Sequence, residues 1–207
     1  MDLNYWKMRI NDPCNCFQDS SIISPLIHAG SIKERLSQIA DEIVSKTNSY
    51  PYINLIPLLT GGMFFCVDLA MALEERISGK WIINPLMVSA YGMHDKITKE
   101  PTIIASPDFA HKMNFNCPSI IVDDLADTGS SIDMVIQYLK ALHFRHQTNE
   151  KIWTAVLINK TKFRTFDLAI DFRCFNYQDG NWLIGYGMDD KGIYRGSKCI
   201  GSRLPVG

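Results

Sequence analysis

No surplus charge of either sign marks the chain: 21 Lys and Arg stand against 22 Asp and Glu, a formal net charge of −1. That balance leaves no electrostatic footprint for nucleic acid or an anionic membrane. There is no long uninterrupted apolar run. The longest, Ile53 to Val67, is broken by Thr60-Gly61-Gly62 and followed by Asp68 and Glu74-Glu75-Arg76, too interrupted to span a bilayer. Met1-Asp2-Leu3-Asn4-Tyr5 lacks the basic start and apolar core of a secretory leader, so a cytoplasmic protein is expected. The six cysteines (14, 16, 66, 117, 174 and 199) show no disulfide-framework spacing, and reduced thiols are expected. Cys14 and Cys16 could meet a metal together with His143 and His146. Nothing links the two pairs, and an ordinary thiol pair is the plainer reading.

What is present is a chain of 207 residues, 46% hydrophobic, enough to bury a full core as one domain with an appendage. Residues 1–30 read as irregular. Ser31 reads as an N-cap with Glu34 as its capping-box partner. Ile32, Leu36, Ile39, Ala40 and Ile43 then share one face of a helix running to about Lys46. Ile53–Leu59 is a strand that Pro57 would place at an edge or near a bulge, and Thr60-Gly61-Gly62 turns it into a helix over 63–77. A further strand is expected over 82–89. Residues 93–106, polar and without a period, read as a long lid-like loop. A helical turn follows at 109–113, and a polar connection is expected over 143–150. Ile152–Ile158 is a buried strand with Asn159-Lys160 at its end; 166–175 and 182–188 read as strand-like. Strands alternating with helices indicate an α/β fold on an open, mostly parallel twisted sheet flanked by helices, whose ligands sit beyond the strands' carboxyl ends.

One stretch concentrates the chemistry. Ile120-Ile121-Val122 reads as the end of a buried strand, and Asp123, Asp124 and Asp127 follow at its edge. Thr128-Gly129-Ser130-Ser131 forms a hydroxyl-rich turn opening a helix over 131–142. The turn's N–H groups and the helix dipole suit a phosphate. The adjacent carboxylates suit vicinal hydroxyls and a divalent metal. The pattern reads as a sugar-phosphate site.

These motifs resemble the type I phosphoribosyltransferases, and within them the hypoxanthine-guanine branch. Val122 to Ser131 is similar to the family's phosphoribosyl-pyrophosphate motif, with Ala126 where a bulky residue is usual and Ser130-Ser131 where Gly or Lys then Thr is usual. Leu59-Thr60-Gly61-Gly62 resembles the pyrophosphate loop, with Thr60 in place of Lys. Ser89-Ala90-Tyr91-Gly92 resembles the start of the flexible catalytic loop. Asn159-Lys160 matches the purine-contacting Lys, Trp182 to Asp189 resembles the base-reading segment, and Tyr194-Arg195 carries a pyrophosphate-binding Arg. The resemblance covers roughly residues 31–204.

It implies a type I phosphoribosyltransferase fold, with a core over about 31–165 and a base-reading hood over about 166–207 that can include the N-terminal segment. It implies transfer of the 5-phosphoribosyl group from phosphoribosyl pyrophosphate (PRPP) to N9 of a 6-oxopurine. Asp127 would be the general base. Asp123 and Asp124 would hold the ribose hydroxyls and Mg²⁺, and Thr128, Gly129, Ser130 and Ser131 the 5′-phosphate. Thr60, Gly61, Ser89, Tyr91 and Arg195 would bind pyrophosphate. Lys160, Trp182, Leu183 and Asp189 would serve the purine, with Asp189 also at a second Mg²⁺. A homodimer or homotetramer is implied. The alternatives are a nucleotide-sensing regulator on the same fold and a phosphoribosyltransferase for xanthine, adenine or a pyrimidine.

Overall fold

A computed structural model gives the fold and describes Phe17, residues 23–89 and residues 102–203. Tyr91, the Cys14/Cys16 pair and the expected lid up to residue 101 lie outside the described residues. β1 (Ile23–Ile27) passes through His28 into α1 (Ala29–Thr47), and β2 (Ile53–Leu59) turns into α2 (Gly62–Glu74). β3 (Trp81–Ile83), β4 (Leu86–Ser89), β5 (Thr102–Ile104) and a single helical turn, α3 (Phe109–Lys112), follow. β6 (Ser119–Ala126) leads into α4 (Ser130–Arg145). β7 (Ile152–Lys160), β8 (Phe172–Tyr177), β9 (Leu183–Ile184) and β10 (Ile200–Arg203) complete the described elements.

The main sheet runs β5-β4-β2-β6-β7-β8, with β3 beside the first half of β2. Its pairings are parallel except β4 with β5. This is the open, mostly parallel sheet expected. Successive strand residues face opposite sides. Leu55, Ile120 and Val122 pack under α1 and α2, while Ile56, Ile121 and Val156 pack under Ile132, Val135 and Leu139 of α4. Both faces are covered, which is why these strands read as unbroken apolar runs. Helix α2 leaves β2 to one face and α4 leaves the adjacent β6 to the other. The carboxyl ends of β2 and β6 therefore border a crevice of the kind that holds ligands in such sheets. A second, antiparallel sheet, β1-β10-β9, stands apart from the first. Among the described residues no helix is long and apolar enough to cross a membrane.

Several boundaries differ from the sequence reading, each for a local reason. Helix α1 buries all five residues of its expected face but starts at Ala29, capped by extended His28 without a side-chain cap bond. Ser31 therefore lies inside its first turn and Glu34 in the second. Residues 23–27 form a strand because β10 supplies a partner. Pro57 does not make β2 an edge: Pro57 pairs in register with Val122. Its missing donor falls where β3 ends and β4 begins. At that break Asn84 N donates to Leu55 O at 2.9 Å, so the expected 82–89 strand is two strands. Residues 102–104, assigned to the loop, pair antiparallel with β4. Helix α4 continues to Arg145, into the expected polar connection. The strand-like 182–188 segment is mostly turn, because Gly185, Tyr186 and Gly187 have φ of 90°, 51° and 102°, which no strand accommodates. Finally, the thiols are not all reduced. Cys66, Cys117 and Cys174 are free and buried, but Cys199 is disulfide-bonded.

Candidate active site

At the carboxyl ends of β6 and β7 lies a cleft of about 260 Å³ bordered by Gly61, Asp124, Asp127 and Lys160 on the main-sheet side. Trp182, Leu183, Asp189 and Arg195 close it from the second sheet and its connections. Eight residues selected from sequence, scattered over 135 positions, thus meet in one place (Gly61 to Arg195).

Lys160 is the last residue of β7 and is 3% exposed. A lysine this buried requires a partner, and its Nζ lies 3.1 Å from Asp127 Oδ2. The Phe163 ring covers it at 5.4 Å. Asp127 stands one residue beyond β6, and its other oxygen, Oδ1, is buried with no hydrogen-bond partner among the described residues. The pair therefore offers a charged donor beside an acceptor with bonding capacity to spare.

Asp123 and Asp124 are the next layer. Asp124 N donates to Asp123 Oδ1 at 3.0 Å. Burial raises the Asp123 carboxyl well above the usual range, and the neighbouring Asp124 charge raises it further. Burial raises Asp124 too, opposed by its hydrogen bond with Asp123 and by the Arg195 charge. Two carboxyls this close and this dry call for hydroxyl donors or a cation. Glycines allow the crowding: a Cβ on Gly61 would lie 2.1 Å from Asp124 Oδ2, and one on Gly62 would lie 2.5 Å from Val122 O. The Leu59–Thr60 peptide before them is cis.

The turn at 128–131 takes the shape its sequence implies. Gly129 caps α4 with φ 91°, a conformation natural only to glycine, and Thr128 Oγ1 lies 3.1 Å from Ser130 Oγ at the helix mouth. Thr165 N and Phe166 N both donate to Thr128 O, at 3.1 and 3.2 Å. Ser131 continues the first turn of α4.

Opposite, Trp182 is 59% exposed, yet its indole N–H donates to Asp189 O at 2.7 Å, which fixes the ring. Asp189 carries an ion pair of 2.6 Å with Arg195 and accepts from Gly192 N. Leu183 is buried in β9. Ser89 ends β4 opposite Thr102, and Thr60 opens the turn after β2. Among the described residues no three His, Cys, Asp or Glu side chains converge as a metal cluster.

The model of the phosphoribosyl transferase domain matches residues 28–191. The chain belongs to the phosphoribosyl transferase family. It is 35% identical to the hypoxanthine-guanine phosphoribosyltransferase of Mycoplasma genitalium over 87% of this chain and 95% of that protein. It is 31% identical to the hypoxanthine phosphoribosyltransferase of Buchnera aphidicola over 86% of this chain and 94% of that protein. In fold it is similar to the crystal structure of a hypoxanthine phosphoribosyltransferase from Staphylococcus aureus. That likeness has a TM-score of 0.73 at 19% identity and covers 89% of this chain and 92% of that one.

Against the family pattern, three contributors went unread in the sequence. Gly187 comes so close to Gly61 that a Cβ would lie 2.3 Å from Gly61 O; the repeated glycine of Gly185-Tyr186-Gly187 was its only signal. Tyr186 donates its hydroxyl to Asp68 of α2, tying the 185–188 turn to that helix. Arg164 binds the ends of β6 and β7, and nothing in the sequence distinguishes it from a surface arginine.

Proposed function

We propose that the chain transfers the 5-phosphoribosyl group from PRPP to N9 of hypoxanthine or guanine, giving IMP or GMP and pyrophosphate, as a purine-salvage enzyme. The observation that carries this reading is the Lys160–Asp127 pair, 3.1 Å apart in the cleft beside Trp182. A 6-oxopurine presents an acceptor oxygen and an N7 proton on one edge, and this pair presents the complementary donor and acceptor. Adenine, with an amino group at that position, cannot accept from Lys160. Trp182 supplies the stacking face. The relatives' names point to the same bases.

The residue roles follow. Asp127 takes the N7 proton as N9 attacks the anomeric carbon. The Thr128–Ser131 turn and the N-terminus of α4 hold the 5′-phosphate. Arg195, Gly61 and Thr60 receive the pyrophosphate. Asp123 and Asp124 accept bonds from the ribose hydroxyls.

Mg²⁺ fits the same residues. Hard, buried carboxyls with raised affinity for protons favour a cation once they ionise, and two carboxylates plus substrate oxygens suit Mg²⁺ better than an all-protein cage. Asp123 and Asp124 would hold it through the ribose hydroxyls, and Asp189 would serve a second ion once released from Arg195. Bound there, Mg²⁺ would neutralise charge on the leaving pyrophosphate. The reading includes a homodimer or homotetramer, supported by Met63, Val67 and Met71, exposed at four-residue spacing along α2.

The test is pyrophosphate release from PRPP and Mg²⁺ with each purine in turn. Release with hypoxanthine and guanine and not adenine is expected. No release with any base would leave a nucleotide-sensing regulator on this fold.

A further inference from the structure

The ladder between β6 and β7 stops short of the two groups that meet the purine. Its last pair is Ala126 with Asn159, and Asp127 and Lys160 stand one residue beyond. Arg164 provides the missing rung. Its Nε donates to Asp127 O at 2.9 Å, and its Nη2 donates to Ala126 O at 2.9 Å and to Lys160 O at 3.2 Å. The same nitrogen donates to Asn159 Oδ1 at 2.7 Å, and Asn159 Nδ2 donates in turn to Asn176 Oδ1 of β8 at 3.0 Å. One planar guanidinium thus ties the last backbone groups of two strands together, and the asparagine pair anchors it to a third. A lysine could not do this, since a single ammonium has no fork spanning separate carbonyls.

We propose that Arg164 is a positioning residue that fixes the spacing of Asp127 and Lys160 and so presents both to one purine edge. This rests on the reading that the pair serves the base. The hydrogen bonds of Arg164 go to three main-chain carbonyls and to Asn159, so it acts through the backbone of the residues that would meet the purine. Displacements near 1 Å at such a pair cost on the order of 10²-fold in rate.

The test is a double-mutant cycle measured with the full chain, PRPP, Mg²⁺ and hypoxanthine. Arg164→Met should lower kcat/KM for hypoxanthine about 10²-fold while the KM for PRPP stays within about threefold. In a Lys160→Ala background the same change should cost less than about threefold, because there is no longer a pair to space. Equal losses in both backgrounds would overturn the proposal in favour of general structural support. A loss concentrated in the KM for PRPP would overturn it in favour of a phosphate contact. Should Arg164→Met fail to fold, Asn159→Ala removes one arm and leaves the backbone bonds. It should show a smaller loss with the same split between purine and PRPP, and an unchanged kcat/KM for hypoxanthine would count against the proposal. Turnover by the unmodified chain separates the two claims: without it the purine reading fails, and with it only the role of Arg164 is at issue.

Discussion

At the scale of single residues, the proposed roles divide the site into groups that would meet substrate and groups that hold them. Asp127→Asn keeps the shape but removes the proton acceptor, so kcat should fall about 10²- to 10⁴-fold while equilibrium binding of PRPP is retained. Near-normal turnover in that variant would remove Asp127 from the base role. Lys160→Ala should raise the KM for hypoxanthine far more than that for PRPP, since the lost donor faces only the base. The Asp123–Asp124 pair gives a pH prediction. Burial raises both carboxyls, so the native state retains protons that the unfolded chain gives up. Its stabilising contribution is complete below the unfolded carboxylate value, about 3.9, and is lost as pH rises through the raised native values. Urea titrations of the empty protein should show stability falling across that window, and Asp123→Asn should flatten the fall while weakening PRPP binding. Asp124, Asp127, Lys160 and Trp182, which meet at one cleft, were legible because their side chains stand out by type and spacing. Arg164 was not, because its ligands are mostly main-chain carbonyls, which every residue has.

At the scale of elements, apolar runs were enough to find the strands that both faces cover. Sequence failed where geometry depends on a partner element. β1 exists because β10 pairs with it, and β3 and β4 separate because buried Asn84 N turns to Leu55 O. The turn at 185–188 stayed hidden because only its glycines announce it. The turn at 128–131 was legible as a turn into a helix, since a glycine among hydroxyl residues ahead of a helical period marks a helix start. Gly129→Ala tests it. The new side chain would sit at φ 91° with its Cβ 2.6 Å from Leu168 Cδ1. A loss of about 1–3 kcal/mol is expected, read from the urea midpoint, together with a raised KM for PRPP.

At the scale of the whole molecule, the crevice arises from topology: β2 and β6 are neighbours whose helices depart to opposite faces. No residue encodes that alone, although the strand–helix alternation implied it. The outer line of α2 bears on assembly. If Met63, Val67 and Met71 are covered by another copy, Met71→Lys should lower the mass measured by sedimentation at micromolar concentration; an unchanged mass would place the interface elsewhere. Asp127 Oδ1, without a hydrogen-bond partner among the described residues, has a consequence for persistence rather than for catalysis. A buried acceptor without a donor costs about 1–3 kcal/mol, and in the proposed role of Asp127 a 6-oxopurine would supply the donor. The idle protein is therefore the fragile one. Binding adds about 2.7 kcal/mol at a hundredfold excess over Kd, so the chain should resist proteolysis longest where its purine is plentiful and be cleared fastest where it has nothing to salvage.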